Sequence, residues 1–391
     1  INQNEQSLSL RASGDGLEVG DSRAVFKNVS VDMRQYNKLK MFLHAEALPA
    51  PTDPTPLQDD QMAAFIRFGN DFTNNYYEVE IPLKITAEGV SDPELIWPKI
   101  NEIDLPTALL TKLKILAMSA PSTDFVEGVL YKDDFELDPS LASNTERGQL
   151  RLGVKGNPNF GLVRTLMVGI RNSSTQDGIK GEVWFNELRL ADMNNKGGMA
   201  AVINMDSNLA DFATISAMGR MSTIGFGALE ESPNERSRED MQQYNLVTNV
   251  GLGKLLPKKW GINLPFNYAV GEETITPEYD PYNQDIRLEQ LLDNTTDAAE
   301  KENIRNRAID FTKRKSINFI GVKKERQPEQ KQRIYDPENL TLSYSYNETK
   351  KHNYEIENYI DQQVNTTVDY AYSFQPKTVE PLKNVKYFKK S

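Results

Sequence analysis

The stretch WGINLPFNYAVG places Trp260, Ile262, Leu264, Phe266, Tyr268 and Val270 on one parity, with Gly261, Asn263, Pro265, Asn267, Ala269 and Gly271 on the other. Successive strand side chains point to opposite faces, so this is a ribbon with an aromatic and aliphatic face and almost nothing apolar behind it. Two folds accept such a ribbon. In a soluble sheet the apolar face packs on a core; in an outer-membrane barrel it meets lipid while the polar face lines water.

The pattern recurs through the second half of the chain, in GMAAVINMD, LADFATISAMGRM, YNLVTNVGLGKL, SINFIGV, NLTLSYSYNE and VNTTVDYAYSF. In the last of these Val364, Val368 and Tyr370 oppose Asn365, Thr367 and Asp369. About twelve residues at ~3.3 Å each, tilted by about 40°, span roughly 30 Å, which crosses an outer-membrane apolar band. Strands of globular proteins usually run to about five or six residues, so the run of long ones favours the barrel over a soluble sheet. On that reading Trp260, Ile262, Leu264, Phe266, Tyr268 and Val270 face lipid, and Asn263, Asn267, Asn365, Thr367 and Asp369 face the lumen. Pro265 and Arg220 depart from ideal strand chemistry; a bulge or barrel edge at Pro265 and a lumen-facing or interfacial Arg220 would accommodate them.

The first half has another texture. SLSLRAS, AVFKNVSV, KLKMFLHAEAL, MAAFIRFG, NYYEVEIPL, QLRLGVKG, LVRTLMVGI and GEVWFNELRL read as eight strands separated by Gly, Asn, Asp and Pro clusters. That number suits a jelly-roll-like β-sandwich. The Pro-rich LPAPTDPTP and the stretch around Leu105 read as loop insertions, the latter a short amphipathic segment. The expected fold is therefore all-β: a sandwich over residues 1–196, then about seven strands of a large transmembrane barrel over 197–391. A helical loop insertion over 272–314 has Asp297 as N-cap and Leu288, Leu291, Leu292, Ile304, Ala308 and Phe311 at helical spacing.

Composition removes several function classes. A formal net charge of −11 over 391 residues argues against a nucleic-acid partner, which would need concentrated Lys and Arg. The basic clusters TKRK and VKKER read as solvated loop flanks. With no cysteine, thiolate metal sites and cysteine nucleophiles are excluded, and His44 and His352 have no partner at a ligand spacing. No phosphate-binding glycine loop, nucleophile elbow or metalloprotease helix is present, so no enzyme, metal or cofactor is expected. Tyr76, Tyr77 and Trp97 leave a sugar-binding sandwich open as an alternative. One of the two adjacent tyrosines should lie in the core.

Taken in order, RAVFKNVSVDMRQYNKLKMFLHAE, FIRFGNDFTNNYYEVEIPL, GEVWFNELRLADM, PKKWGINLPFNYAVGEETITPEYDPYNQDIRLEQLLD and DPENLTLSYSYNETKKHNYEIENYIDQQVNTTVDYAYSF resemble the SprA (Sov) family. This is the outer-membrane translocon of the Bacteroidetes type IX secretion system, which also supports gliding motility. The resemblance spans nearly all of the chain and marks it as an internal fragment of a much longer protein. It implies a barrel that passes folded cargo bearing type IX C-terminal signals, with outer-membrane lipid, a PorV-type shuttle and a periplasmic plug protein as partners. It brings no catalytic motif. The rivals are a soluble or surface-attached sugar-binding adhesin built of sandwiches, and a porin-like transporter with an appended sandwich. Short and long connections alternate from a tight turn near Ser207 and Asn208 onward, and if the short ones are periplasmic the sandwich is extracellular.

Overall fold

In the first two hundred residues, alternation gives two facing sheets. The computed structural model describes residues 6–48, 56–142, 150–233, 235–328 and 330–374, so most of the Pro-rich stretch near residue 50 lies outside the described residues. The strands are β1 (Leu8–Leu17), β2 (Ser22–Val31), β3 (Tyr36–Glu46), β4 (Met62–Gly69), β5 (Tyr76–Pro82), β6 (Ile103–Pro106), β7 (Phe125–Val126), β8 (Val129–Asp133), β9 (Arg151–Lys155), β10 (Val163–Asn172) and β11 (Ile179–Met193). One sheet runs β1-β11-β3-β6 and the other β2-β10-β4-β5-β9-β8-β7. Between them Met41, Leu43, Ile66, Phe68, Tyr77, Val79 and Val183 are buried.

All eight strands expected from the alternation are present, and three short ones join them. The stretch around Leu105 is not a loop insertion. Ile103–Pro106 pairs with β3, and the helix Thr107–Ser119 that follows buries Leu109, Leu110 and Leu113 in the sandwich core. Hydropathy missed this because Lys112 and Lys114 interrupt the run, yet Lys114 is itself only 3% exposed. His44, expected on a strand or the surface, is a buried β3 residue whose Nδ1 lies 2.7 Å from the Ile96 carbonyl oxygen.

The outer face of the larger sheet is closed by charge. Glu78 accepts hydrogen bonds from Arg67 Nε and Nη2 at 2.8 and 2.6 Å, from Arg171 Nη1 at 3.1 Å and from the Tyr131 hydroxyl at 3.1 Å. Burial raises its carboxyl pKa, but the Arg171 and Arg67 guanidiniums outweigh that and hold it below the usual range.

The later strands are β12 (Ala200–Leu209), β13 (Ala213–Ser222), β14 (Glu239–Gly251), β15 (Ile262–Asn263), β16 (Pro265–Pro277), β17 (Asp310–Lys324), β18 (Leu340–His352) and β19 (Tyr359–Tyr370). They form an antiparallel meander β12-β13-β14-β16-β17-β18-β19, with β15 paired to β17. Among the described residues the sheet is open and does not close on itself. The tight turn falls at Ala210–Phe212 rather than at Ser207 and Asn208, which lie within β12. Ala210 supplies the left-handed residue, at φ 49°. The alternation of short and long connections ends at β17: residues 325–339 form the longer link and 353–358 the shorter.

Two compact units result. The first comprises Ile1–Met199, Thr223–Asp240 and Pro277–Ala308; the second comprises Ala200–Ser222, Met241–Thr276 and Ile309–Ser391. The two longest connections of the meander thus belong to the unit that contains the sandwich. Residues 278–309 carry the expected helices, Leu288–Asn294 and Ala298–Ala308. Asp297 caps the second through an Ala299 N–H···Oδ1 bond of 3.1 Å, and Ile286, Leu288, Leu291, Leu292, Ile304 and Ala308 are buried together. Phe311, expected on that helix, belongs to β17 instead, because the helix ends at Ala308.

One buried ion pair fixes this connection in the first unit. Lys114 Nζ donates to Asp285 Oδ1 at 2.6 Å and to the Pro158 carbonyl at 2.8 Å, while the Tyr77 hydroxyl donates to Asp285 Oδ2 at 2.6 Å. Burial lowers the Lys114 pKa, opposed by the Asp285 carboxylate beside it. Removing one member strands a buried charge, so Lys114→Met or Asp285→Leu alone should each cost about 3–5 kcal/mol. The triple variant Lys114→Met/Asp285→Leu/Tyr77→Phe should cost far less. Hydrogen exchange at amides 279–292 of the full chain checks this: the single variants should exchange faster than the triple.

Candidate functional site

The meander has two faces of opposite chemistry, and register defines them. One row crosses seven strands as Asn208, Thr214, Asn249, Asn267, Asn318, Ser345 and Asn365. Its carboxamides and hydroxyls bond along the row. Asn249 Nδ2 donates to Thr214 Oγ1 at 3.2 Å, Asn267 Nδ2 to Asn249 Oδ1 at 2.7 Å, Asn318 Nδ2 to Asn267 Oδ1 at 3.0 Å, and Ser345 Oγ to Asn318 Oδ1 at 2.6 Å. Ser316 and Asn347 extend the network through a 2.7 Å bond. From Thr214 to Ser345 each of these side chains bonds a neighbour and keeps capacity for water.

The opposite face carries Ile215, Leu246, Tyr268, Val270, Ile317, Tyr346 and Val364, and beyond them Leu209, Val250, Phe266, Phe319 and Tyr344. Thr248 interrupts this face and spends its hydroxyl on the Tyr268 carbonyl at 3.0 Å. Among the described residues the face is not covered: Ile203 is 71% exposed, Val368 63% and Val364 57%. Met205, Leu209, Leu342, Tyr344 and Tyr370 are exposed with them. A contiguous apolar area of this extent marks a surface that meets something other than water.

The border of the apolar area runs obliquely. Toward the end that carries residues 223–238 and 278–309, the continuous apolar run on this face stops at Met221 on β13, Tyr244 on β14, Val270 on β16, Ile317 on β17 and Tyr346 on β18. Met221 pairs with Gln242, Tyr244 reaches Glu272, and Ile317 pairs with Tyr346, so the border descends by three residue pairs. At ~3.3 Å per residue and ~4.8 Å between strands, that is a descent of roughly 20 Å over the roughly 19 Å from β13 to β18, a slope of about 45°. Phe311 on β17, stacked on His352, and Ile360 on β19 lie outside this border.

The expected lipid-facing residues divide as follows. Ile262, Leu264, Phe266, Tyr268 and Val270 share the apolar parity. Trp260 does not belong to the strand: it ends a 3-10 turn, Lys258–Trp260, and Gly261 at φ 60° reverses the backbone before β15 begins. The expected lumen-facing residues Asn263, Asn267, Asn365, Thr367 and Asp369 share the polar parity, as does Arg220. Opposite Pro265, β17 holds an extra residue at Ile320–Gly321, with Gly321 at φ 76°, and the register shifts by one on both sides. The bulge falls where proline has no N–H to give the ladder.

Sequence reasoning misplaced both basic clusters: Val322, Lys323 and Lys324 of VKKER end β17, and the other cluster is one that the sheet makes prominent. Thr312, Lys313, Arg314 and Lys315 lie inside β17, not on a loop flank. Period two already separates Lys313 and Lys315 from Arg314, but the cluster of charge masked it. The sugar-binding alternative loses two of its three aromatics, since Tyr77 is fully buried and Tyr76 is 4% exposed beneath Arg67. Among the described residues no cluster of three or more acidic or histidine side chains could hold a metal, and no helix is long and apolar enough to cross a membrane.

The family described as a motility related/secretion protein, SprA_N, matches residues 1–292, which span the sandwich and the meander through β16. The chain belongs to the SprA family. No curated protein matches it. Family membership assigns the chain to motility or secretion, and the two-faced meander is the part whose chemistry bears on how. If the apolar face meets hydrocarbon, Ile317→Arg should destabilise the sheet by about 2–4 kcal/mol, while Ser345→Asp on the polar face should be tolerated. Unfolding of the reconstituted chain in urea measures both.

Proposed function

We propose that this chain supplies contiguous strands to the wall of a protein-conducting barrel in the outer membrane, through which folded cargo with type IX C-terminal signals reaches the cell surface. The oblique border of the apolar face carries this reading. Barrel strands tilt by about 35–45° from the axis, so a lipid boundary perpendicular to that axis crosses successive strands at a stepped height.

The polar face suits the lumen of such a barrel. Its central row is amide and hydroxyl, already hydrogen-bonded laterally, and offers passing protein surfaces neither apolar patches nor a block of one charge. A PorV-type shuttle, a periplasmic plug and the cargo would be the partners by family resemblance, and the task needs no catalytic group.

The sandwich on this reading is extracellular and forms part of a cap. Supporting this, the long connections 223–240 and 277–308 fold with the sandwich, and outer-membrane barrels carry their longer loops outside. A cysteine at Ser122, exposed and free of background in a chain without cysteine, should react with a membrane-impermeant maleimide on intact cells. In the same cells, deleting β18 and β19 should strand cargo in the periplasm. Labelling only after permeabilisation would contradict the cap, and normal cargo export would contradict the translocon in favour of an adhesin.

A further inference from the structure

On the lipid-facing side of β17 and β18, between the apolar pair Ile317 and Tyr346 and the stacked pair Phe311 and His352, three lysines converge. Lys313 stands directly opposite Lys350 in the ladder, and Lys315 lies two residues from Lys313 on the same face, opposite Glu348. Directly opposed like charges are destabilising, and such a pair calls for anions to compensate it. The anions present fall short. Glu272 Oε2 takes Lys313 Nζ at 3.1 Å but also the Tyr244 hydroxyl at 3.1 Å. Glu348 holds Lys350 at 3.4 Å through Oε1, while its Oε2 takes the Tyr346 hydroxyl at 2.8 Å and Gln362 Nε2 at 2.7 Å. Among the described residues Lys315 has no ion-pair partner. Three ammoniums thus face two carboxylates, each already shared.

We propose that Lys313, Lys315 and Lys350 bind a phosphate group on the headgroup of an anionic membrane lipid. The inference rests on the reading of the meander as membrane-spanning. It goes further by assigning a ligand to one patch. Height selects a lipid phosphate over a free one: a lipid whose chains cover Ile317 and Tyr346 places its headgroup at the next residue pairs up, where the lysines are. Cross-strand neighbours about 5 Å apart match the spread of phosphate oxygens better than a single point contact would, and ammonium groups bind phosphate as point charges without a fixed fork. On β14 and β16 the corresponding positions hold Gln242 and Glu272, so the patch is local to one hairpin and not a continuous belt.

The test uses the full chain reconstituted into nanodiscs containing either diphosphorylated lipid A or its dephosphorylated form, with lipid retained on the protein counted by native mass spectrometry. Wild type should retain the phosphorylated lipid at least tenfold more than the dephosphorylated one. Lys313→Gln/Lys315→Gln/Lys350→Gln should abolish that preference, and excess inorganic phosphate should not displace the lipid. Equal retention of the two lipids by wild type would overturn the proposal, as would an undiminished preference in the triple variant. Displacement by inorganic phosphate would make the patch a free-anion site and overturn the lipid assignment. If the protein fails to enter nanodiscs at all, the membrane-spanning reading fails and this proposal with it; entry without preference overturns the lipid site alone.

Discussion

The structure depends on a sheet whose backbone is satisfied and whose apolar face is not. Along the meander every interior strand has a neighbour on both edges, so N–H and C=O groups are paired in the ladder and need no solvent. The side chains of Ile203, Leu342, Val364 and Val368 have no such closure. Each such side chain gains about 1.5–3 kcal/mol when it leaves water, so a row of them across seven strands sets what the surroundings of this sheet must be. In the sandwich the same alternation is resolved internally, because the four-stranded and seven-stranded sheets bury each other's apolar faces around Met41, Phe68, Tyr77 and Val183.

The second constraint is the buried contact of Asp285 with Lys114 and Tyr77. Its members come from a core strand, a core helix and a connection of the meander, with Asp285 more than 150 residues from each of the other two in sequence. Arg238 adds a second tie, donating to Asp32 Oδ2 at 3.1 Å, and the Tyr279 hydroxyl donates to the Arg34 carbonyl at 3.1 Å. The sandwich unit is therefore completed by segments that leave and re-enter the meander in sequence. A buried pair of this kind adds little net stability, but it tolerates few alternative dockings, because a misplaced partner leaves an unpaired charge in the core.

Much of this was legible in the sequence because period two survives translation into strands with little loss. MAAFIRFG is β4 residue for residue, and the parity of Phe266, Tyr268 and Val270 against Asn267 holds in the sheet. Where prediction failed, a local signal was outweighed by a distant one. Trp260 continues the alternation on paper, but Gly261 takes a left-handed turn that periodicity does not register. The segment after Leu105 looked too charged for a core helix, since nothing local reveals that Asp285 waits for Lys114. TKRK looked like a loop because four polar residues in a row hide which two share a face. The tie from Tyr77 to Asp285 had no sequence signal: it spans both halves of the chain.

The most direct test of the two-faced sheet is spin-label accessibility in lipid bilayers along β18, with single cysteines placed at each position from Leu342 to Asn347 of a chain that has none of its own. Collision with oxygen, which partitions into hydrocarbon, should peak at Leu342, Tyr344 and Tyr346. Collision with a water-soluble nickel chelate should peak at Ser343, Ser345 and Asn347, giving a period of two with opposite phase for the two reagents. Uniform access of the nickel chelate to all six positions, or oxygen maxima on the serine parity, would contradict the account.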